Sequence, residues 1–252
     1  MRARSLRPGD GHTFNQLGAL ESYVDNPLLT ICFYAIGDAS ATPNKLSKAN
    51  INGELGKLAK RKANTKTLSK PSERFVAVFL NLFSLLFKWS KKSPAPAPSK
   101  VSRSVAETLS ALEAVVIRLN GASRHSSSSS NNAMFEPLAE AVALEAYLCE
   151  PTASRSPEQC AVARDLLHST VSRIICSGVS FPPASVAMEV AHIFLLWYLG
   201  SITSATTTPN SNSCSPERDL WASAWDSVSN LLNCLIAKRD DECYVDPTKA
   251  CC

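Results

Sequence analysis

The stretch Glu73–Ser90, ERFVAVFLNLFSLLFKWS, decides the class of fold. Arg74, Ala77, Asn81, Ser84, Lys88 and then Lys91 recur every three or four residues, so one narrow polar stripe runs along a helix that is apolar elsewhere. Its uninterrupted apolar content is too short to span a bilayer comfortably. The spacing therefore predicts a central core helix. A second reading is an interfacial membrane helix over residues 73–92, flanked by Lys70, Arg74, Lys88, Lys91 and Lys92.

Toward the C-terminus, Ser93–Lys100 (SPAPAPSK) reads as a stiff Pro/Ala linker and a candidate boundary. A helix is expected next, opened by a Ser104/Glu107 capping box and carrying Val105, Leu109, Leu112, Val116 and Leu119. Asn120-Gly121 should close it. His125–Asn132 (HSSSSSNN) cannot pack a core and reads as a mobile loop. The back half predicts four helices: 137–150, 157–177, 185–202 and one opened by Ser215-Pro216-Glu217. For the second of these, Ser156 is the N-cap, Pro157 the first helical residue and Glu158 the acid of the first turn.

Toward the N-terminus the signals weaken. Residues 1–20 read as flexible. Tyr23–Ile36 is the most β-leaning patch, with Pro27 blocking an uninterrupted helix, so a short helix and an extended segment are both open. Residues 44–71 hold eight lysines and arginines against the single acid Glu54. They would form a loose amphipathic helix or a basic arm that orders on a partner. The expected fold is all-α: antiparallel helical bundles with flexible polar loops and a disordered N-terminus. The expected organisation is a flexible 1–20, a basic helical region 21–100, and an acidic helical bundle 101–252 with a flexible tail.

Composition agrees with a folded chain. At 252 residues, 45% apolar, with 9 Gly and 15 Pro, it is neither a disordered nor a collagen-like sequence. The net charge of +4 hides an asymmetry. Residues 1–103 hold 17 Lys and Arg against 6 Asp and Glu, whereas residues 104–252 hold 9 against 16. A basic front half points to an acidic partner, nucleic acid or an anionic membrane surface. The plainer alternative is that the two halves attract each other. No apolar stretch follows Arg2, Arg4 and Arg7, so no secretory signal is read there. Cys149, Cys160, Cys176 and Cys234 fall in apolar helical patterns, as reduced, buried thiols of a cytoplasmic protein would. The Cys251-Cys252 ending resembles a doubly prenylated terminus, but acidic residues precede it.

No phosphate-binding glycine loop, nucleophile elbow or His-Glu-x-x-His is present. Asp165-x-x-His168 and Glu189-x-x-His192 place acid and imidazole on one helix face, as a metal-dependent helical enzyme would, but on consecutive helices and with one Asp. The expectation is accordingly no enzyme and no cofactor. The better functional candidates are Lys57, Lys60, Arg61, Lys62, Lys88, Lys91 and Lys92, whose charges would neutralise phosphates. With no aromatic residue between 45 and 74, base-specific reading is not indicated.

Residues 20–140 resemble coat proteins of rod-shaped helical plant viruses of the tobacco-mosaic type. The likeness rests on Asp25-Asn26-Pro27-Leu28 with Cys32 and Ala35-Ile36-Gly37, on Lys91 and Lys92 after an apolar helix, on Val105-Ala106-Glu107-Thr108-Leu109, and on Phe135-Glu136. Arg74-Phe75-Val76 stands where that family has Phe-Pro. The resemblance implies a homo-oligomeric coat that binds single-stranded RNA in a virion.

Overall fold

Every regular element is a helix among the described residues of the computed structural model, which are 10–61, 68, 70–89, 95–122, 129–150 and 155–178. The helices are α1 Gly11–Val24, α2 Pro27–Ala39, α3 Ser47–Arg61, α4 Pro71–Lys88, α5 Pro98–Ala122, α6 Ser129–Cys149 and α7 Pro157–Gly178. The all-α expectation holds. The chain divides between Leu167 and His168 into two units. The boundary does not fall at the Pro/Ala stretch, because α4 and α5 on either side of it pack on each other. In the second unit the described residues are the helical His168–Gly178, with Val171 and Ile174 buried. The helices expected at 185–202 and after Ser215 lie outside the described residues.

Helix α1 corrects the flexible reading of residues 11–20. Asp10 caps it, its Oδ1 accepting from the His12 backbone N–H at 2.9 Å. At its other end Asp25 takes the left-handed conformation, with φ 62°. Asn26 then caps α2 by accepting from Leu29 N–H at 3.3 Å, with Pro27 as first helical residue. Pro27 interrupts the helical run as expected and opens a new helix, since its missing N–H is not needed there. The β-leaning patch is helical for the same reason.

The tight turn folds α2 back on α1. Gly11 meets Gly37, and Gly18 meets Thr30 and the Tyr34 ring, so the two helices are antiparallel and close. A Cβ on Gly11 would lie 2.3 Å from the Gly37 carbonyl oxygen. That approach is stitched by Gly11 N–H to Thr42 O and Asn44 N–H to Gly37 O, both 3.0 Å. Helix α3 then packs on α2, and α6 packs on α2, α4 and α5.

Helix α4 is the core helix that its stripe predicts. Phe75, Phe79 and Phe83 are each 1% exposed, and their rings run up one face with Phe87 at centroid spacings of 5.8, 6.4 and 5.6 Å. Burying each such ring contributes about 1.5–3 kcal/mol. The interfacial membrane reading of 73–92 fails here, because the apolar side chains it would insert are in the protein core. No described helix is long and apolar enough to cross a membrane.

Tyr147 of α6 continues the ladder, its ring 6.4 Å from Phe87. Its hydroxyl donates to Asp38 Oδ2 of α2 at 2.9 Å. The Arg155 guanidinium lies 4.3 Å over the Tyr147 ring. It also donates to the carbonyls of Tyr147 and Glu150. Ser156 then caps α7 as its sequence predicts, accepting from Gln159 N–H at 3.1 Å. Gln159 Nε2 in turn donates to the Leu86 carbonyl at 2.7 Å, near the C-terminal end of α4.

Two helix starts differ from expectation. Helix α5 begins at Pro98, so Ser104 lies inside it and accepts from Thr108 Oγ1 at 2.9 Å, while Glu107 pairs with Arg103 at 3.3 Å. The capping-box residues serve as mid-helix partners, because the proline sets the first turn earlier. Helix α6 begins at Ser129, so the last residues of the serine tract are helical.

Two outcomes follow for stability. Gly11→Ala should lower the urea-unfolding free energy by about 1–3 kcal/mol. Gly53→Ala and Gly56→Ala, where a Cβ would meet nothing within 4 Å, should each raise it by about 0.5–1 kcal/mol. Burial pushes the Tyr147 hydroxyl well above its usual value, Asp38 acting in the same direction and Arg155 against. A folded-state value above the unfolded one gives stability that is complete below pH ~10 and lost as pH rises through the folded value. Tyr147→Phe should therefore be less stable at neutral pH by about 0.5–1.5 kcal/mol and should lose less on going to alkaline pH.

Candidate functional site

Helix α3 is made from the basic run, and its 15 residues sort by side. Ser47, Ile51, Glu54 and Leu55 face inward. Lys48, Asn52, Gly53, Lys57 and Lys60 are exposed. Glu54, the single acid of the run, is turned toward α1. Its Oε1 accepts from Ser22 Oγ at 2.9 Å and from Lys57 Nζ at 2.6 Å. The same ammonium donates to Ser22 Oγ at 3.2 Å. Asn50 Nδ2 donates to Asn15 Oδ1 at 2.8 Å, so α3 runs parallel to α1 on a polar seam. With Glu54 and the Lys57 amine paired on that seam, Lys60 is left on the exposed side of α3.

The neighbourhood is shared by two tyrosines. Burial pushes the Tyr34 hydroxyl up; Glu54 and Tyr23 push the same way and Lys57 opposes them. Tyr23 itself is 90% exposed at the end of α1.

The candidate residues fall into three groups. Lys57, Lys60 and Arg61 are brought together in the last turns of α3. Lys57 is half-exposed, because its amine is engaged inward, whereas Lys60 is exposed and joins no ion pair among the described residues. Lys88 is exposed in the last turn of α4. It is not beside α3, because Leu58 shares a groove of about 460 Å³ with Ser72, Glu73, Val76, Ala77 and Leu80 at the opposite end of α4. One helical residue rises 1.5 Å, which sets Lys88 about 20 Å from Glu73. Lys62, Lys91 and Lys92 lie outside the described residues. The cations nearer α3 are Lys70, paired with Glu73 at 2.9 Å, and Arg74. Lys48, paired with Asp38 at 3.6 Å, extends the exposed face. Lys48 and Lys70 belong to the same basic run, which is the signal that could have included them.

Among the described residues no metal-binding cluster is found. Asp165 is exposed and His168 buried, and no group of three His, Cys, Asp or Glu among the described residues could hold an ion. Glu189 and His192 lie outside the described residues. Cys32, Cys149 and Cys160 are buried thiols outside any disulfide, and burial pushes the Cys149 thiol up, helped by Glu145.

A family model described as the Est1 DNA/RNA binding domain matches residues 1–169. The matched segment ends within two residues of the division between the units at Leu167. No curated protein and no solved structure matches the chain. The match overturns the resemblance to rod-shaped plant virus coat proteins, which rested on short runs of two to five residues scattered over residues 20–140. With it go the capsid and virion expectations.

The inward pairing of Lys57 separates it from Lys60 by experiment. Lys57→Ala should lower the melting temperature by the equivalent of about 0.5–1 kcal/mol. Lys60→Ala should stay within about 0.5 kcal/mol of the parent chain.

Proposed function

Because the chain belongs to the Est1 DNA/RNA binding domain family, we propose that it is a non-enzymatic protein that binds RNA through phosphate contacts. One observation carries this reading. The family match over residues 1–169 takes in the whole of the basic front half, with its 17 Lys and Arg against 6 Asp and Glu. The arrangement of α3 supports it. Turning Glu54 inward removes the one anion of the run that would repel phosphate, and Lys48, Lys57, Lys60 and Arg61 are spread along three to four helical turns. Gly53 and Gly56 add no side chain on that side, so a backbone can come close to the helix. Lys62, Lys91 and Lys92 extend the same charge in sequence, and Lys88 would meet a strand that continues along α4.

Contacts of this kind displace counterions, so affinity must fall with salt. Fluorescence anisotropy of a labelled single-stranded RNA should show a linear loss of log affinity with log salt. Combining Lys57→Ala with Lys60→Ala should shallow that slope by about 0.7 for each phosphate contact removed. Absence of any RNA binding by the parent chain at low salt defeats the proposal.

A further inference from the structure

The basic run holds no aromatic residue, yet the fold supplies one from elsewhere. Ser22 is hydrogen-bonded to both Glu54 and Lys57 of α3. The next residue is Tyr23, whose side chain is 90% exposed. Leu20 and Val24, at the spacing that puts neighbours on one helical face, are 61% and 74% exposed. Three large side chains thus stand in solvent at the end of α1. Scattered singly, such residues need no explanation, but here they adjoin lysines. The seam between α1 and α3 fixes that juxtaposition. Lys57 Nζ thus lies within 3.2 Å of the hydroxyl of the residue that precedes Tyr23. Lys60 follows Lys57 by one helical turn.

Resting on the phosphate-contact reading above, we propose that Tyr23 is a stacking platform for an unpaired base. Leu20 and Val24 are the apolar edge of that platform, and Lys57 and Lys60 hold the adjoining phosphates. The occupant is a nucleic-acid strand with unstacked bases, because charge complementarity with α3 selects a polyanion and the phenol ring needs a free π-face. A duplex offers phosphates but buries its bases, so it would engage the lysines and not the ring. Aromatic stacking without hydrogen-bond readout is tolerant of sequence. This binding mode has one aromatic and two cationic contacts on two helices.

The test uses the full chain with Tyr23→Ala, Tyr23→Trp and the Lys57→Ala/Lys60→Ala pair. Their anisotropy is measured with a labelled 12-nucleotide oligouridine and with an RNA duplex of about the same length. Stacking of one base on an aromatic ring corresponds to about a 5- to 150-fold change in affinity. Tyr23→Ala should lose affinity for oligouridine in that range, with the salt slope unchanged because no charge is removed. Tyr23→Trp should keep or raise it, and duplex binding should be the same in all three Tyr23 forms. A Tyr23→Ala chain that binds oligouridine like the parent, with the salt slope intact, overturns the platform and leaves the phosphate reading standing. Failure of the parent chain to bind either RNA ends both. If Tyr23→Ala changes only the light-scattering mass, the face joins copies of the chain, and the platform is again overturned. Since Tyr23 is almost fully exposed, circular dichroism should show the variants folded.

Discussion

Tyr147 is the side chain on which the first unit turns. Its ring closes the phenylalanine ladder of α4, its hydroxyl reaches Asp38 of α2, and Arg155 lies across its face. Arg155 in turn satisfies the Tyr147 and Glu150 carbonyls around the end of α6. One residue therefore ties α2, α4 and α6 to the segment that opens α7. A buried phenol needs a hydrogen-bond partner and a buried guanidinium needs acceptors, so the cluster is stable only when all these elements are present together. The aromatic ladder supplies apolar burial, and the polar cluster at its end gives that burial a direction.

The seam between α1 and α3 works on the same principle at the opposite charge balance. A glutamate at 9% exposure would be costly alone. Ser22 and Lys57 satisfy it, and the exchange has a consequence for the surface. The acid that would have moderated a basic helix is withdrawn from solvent with the Lys57 amine that pairs with it, while Lys60 stays exposed. Structure thereby sharpens a charge pattern that composition leaves blurred. On the function proposed above, that pattern would meet phosphate, and at Gly53 and Gly56 there is open space for a backbone to approach.

Several features were legible from residues alone because they are local. The three- and four-residue repeat of Arg74, Ala77, Asn81, Ser84 and Lys88 makes a helix with a narrow polar edge in any context. Ser156-Pro157-Glu158 starts a helix because the cap, the fixed φ and the first-turn acid all act within one turn. The basic character of residues 45–70 is likewise a matter of counting. Where local signals compete, reading failed. Pro27 reads as a breaker or a starter depending on whether the preceding residue can cap, and Asn26 does so only after Asp25 has turned the chain. Ser104 and Glu107 have the spacing of a capping box, but Pro98 had already begun the helix.

The sequence by itself determined an all-helical chain, its core helix and the sign of its charged half, since periodicity and composition act through neighbours along the chain. Tertiary structure alone decided that Glu54 faces inward, that Ser22, the neighbour of Tyr23, reaches Lys57, and that Lys88 lies far from α3. Those relations involve residues about 30 to 35 positions apart, and the chain can bring them together or hold them apart only by packing whole helices against one another.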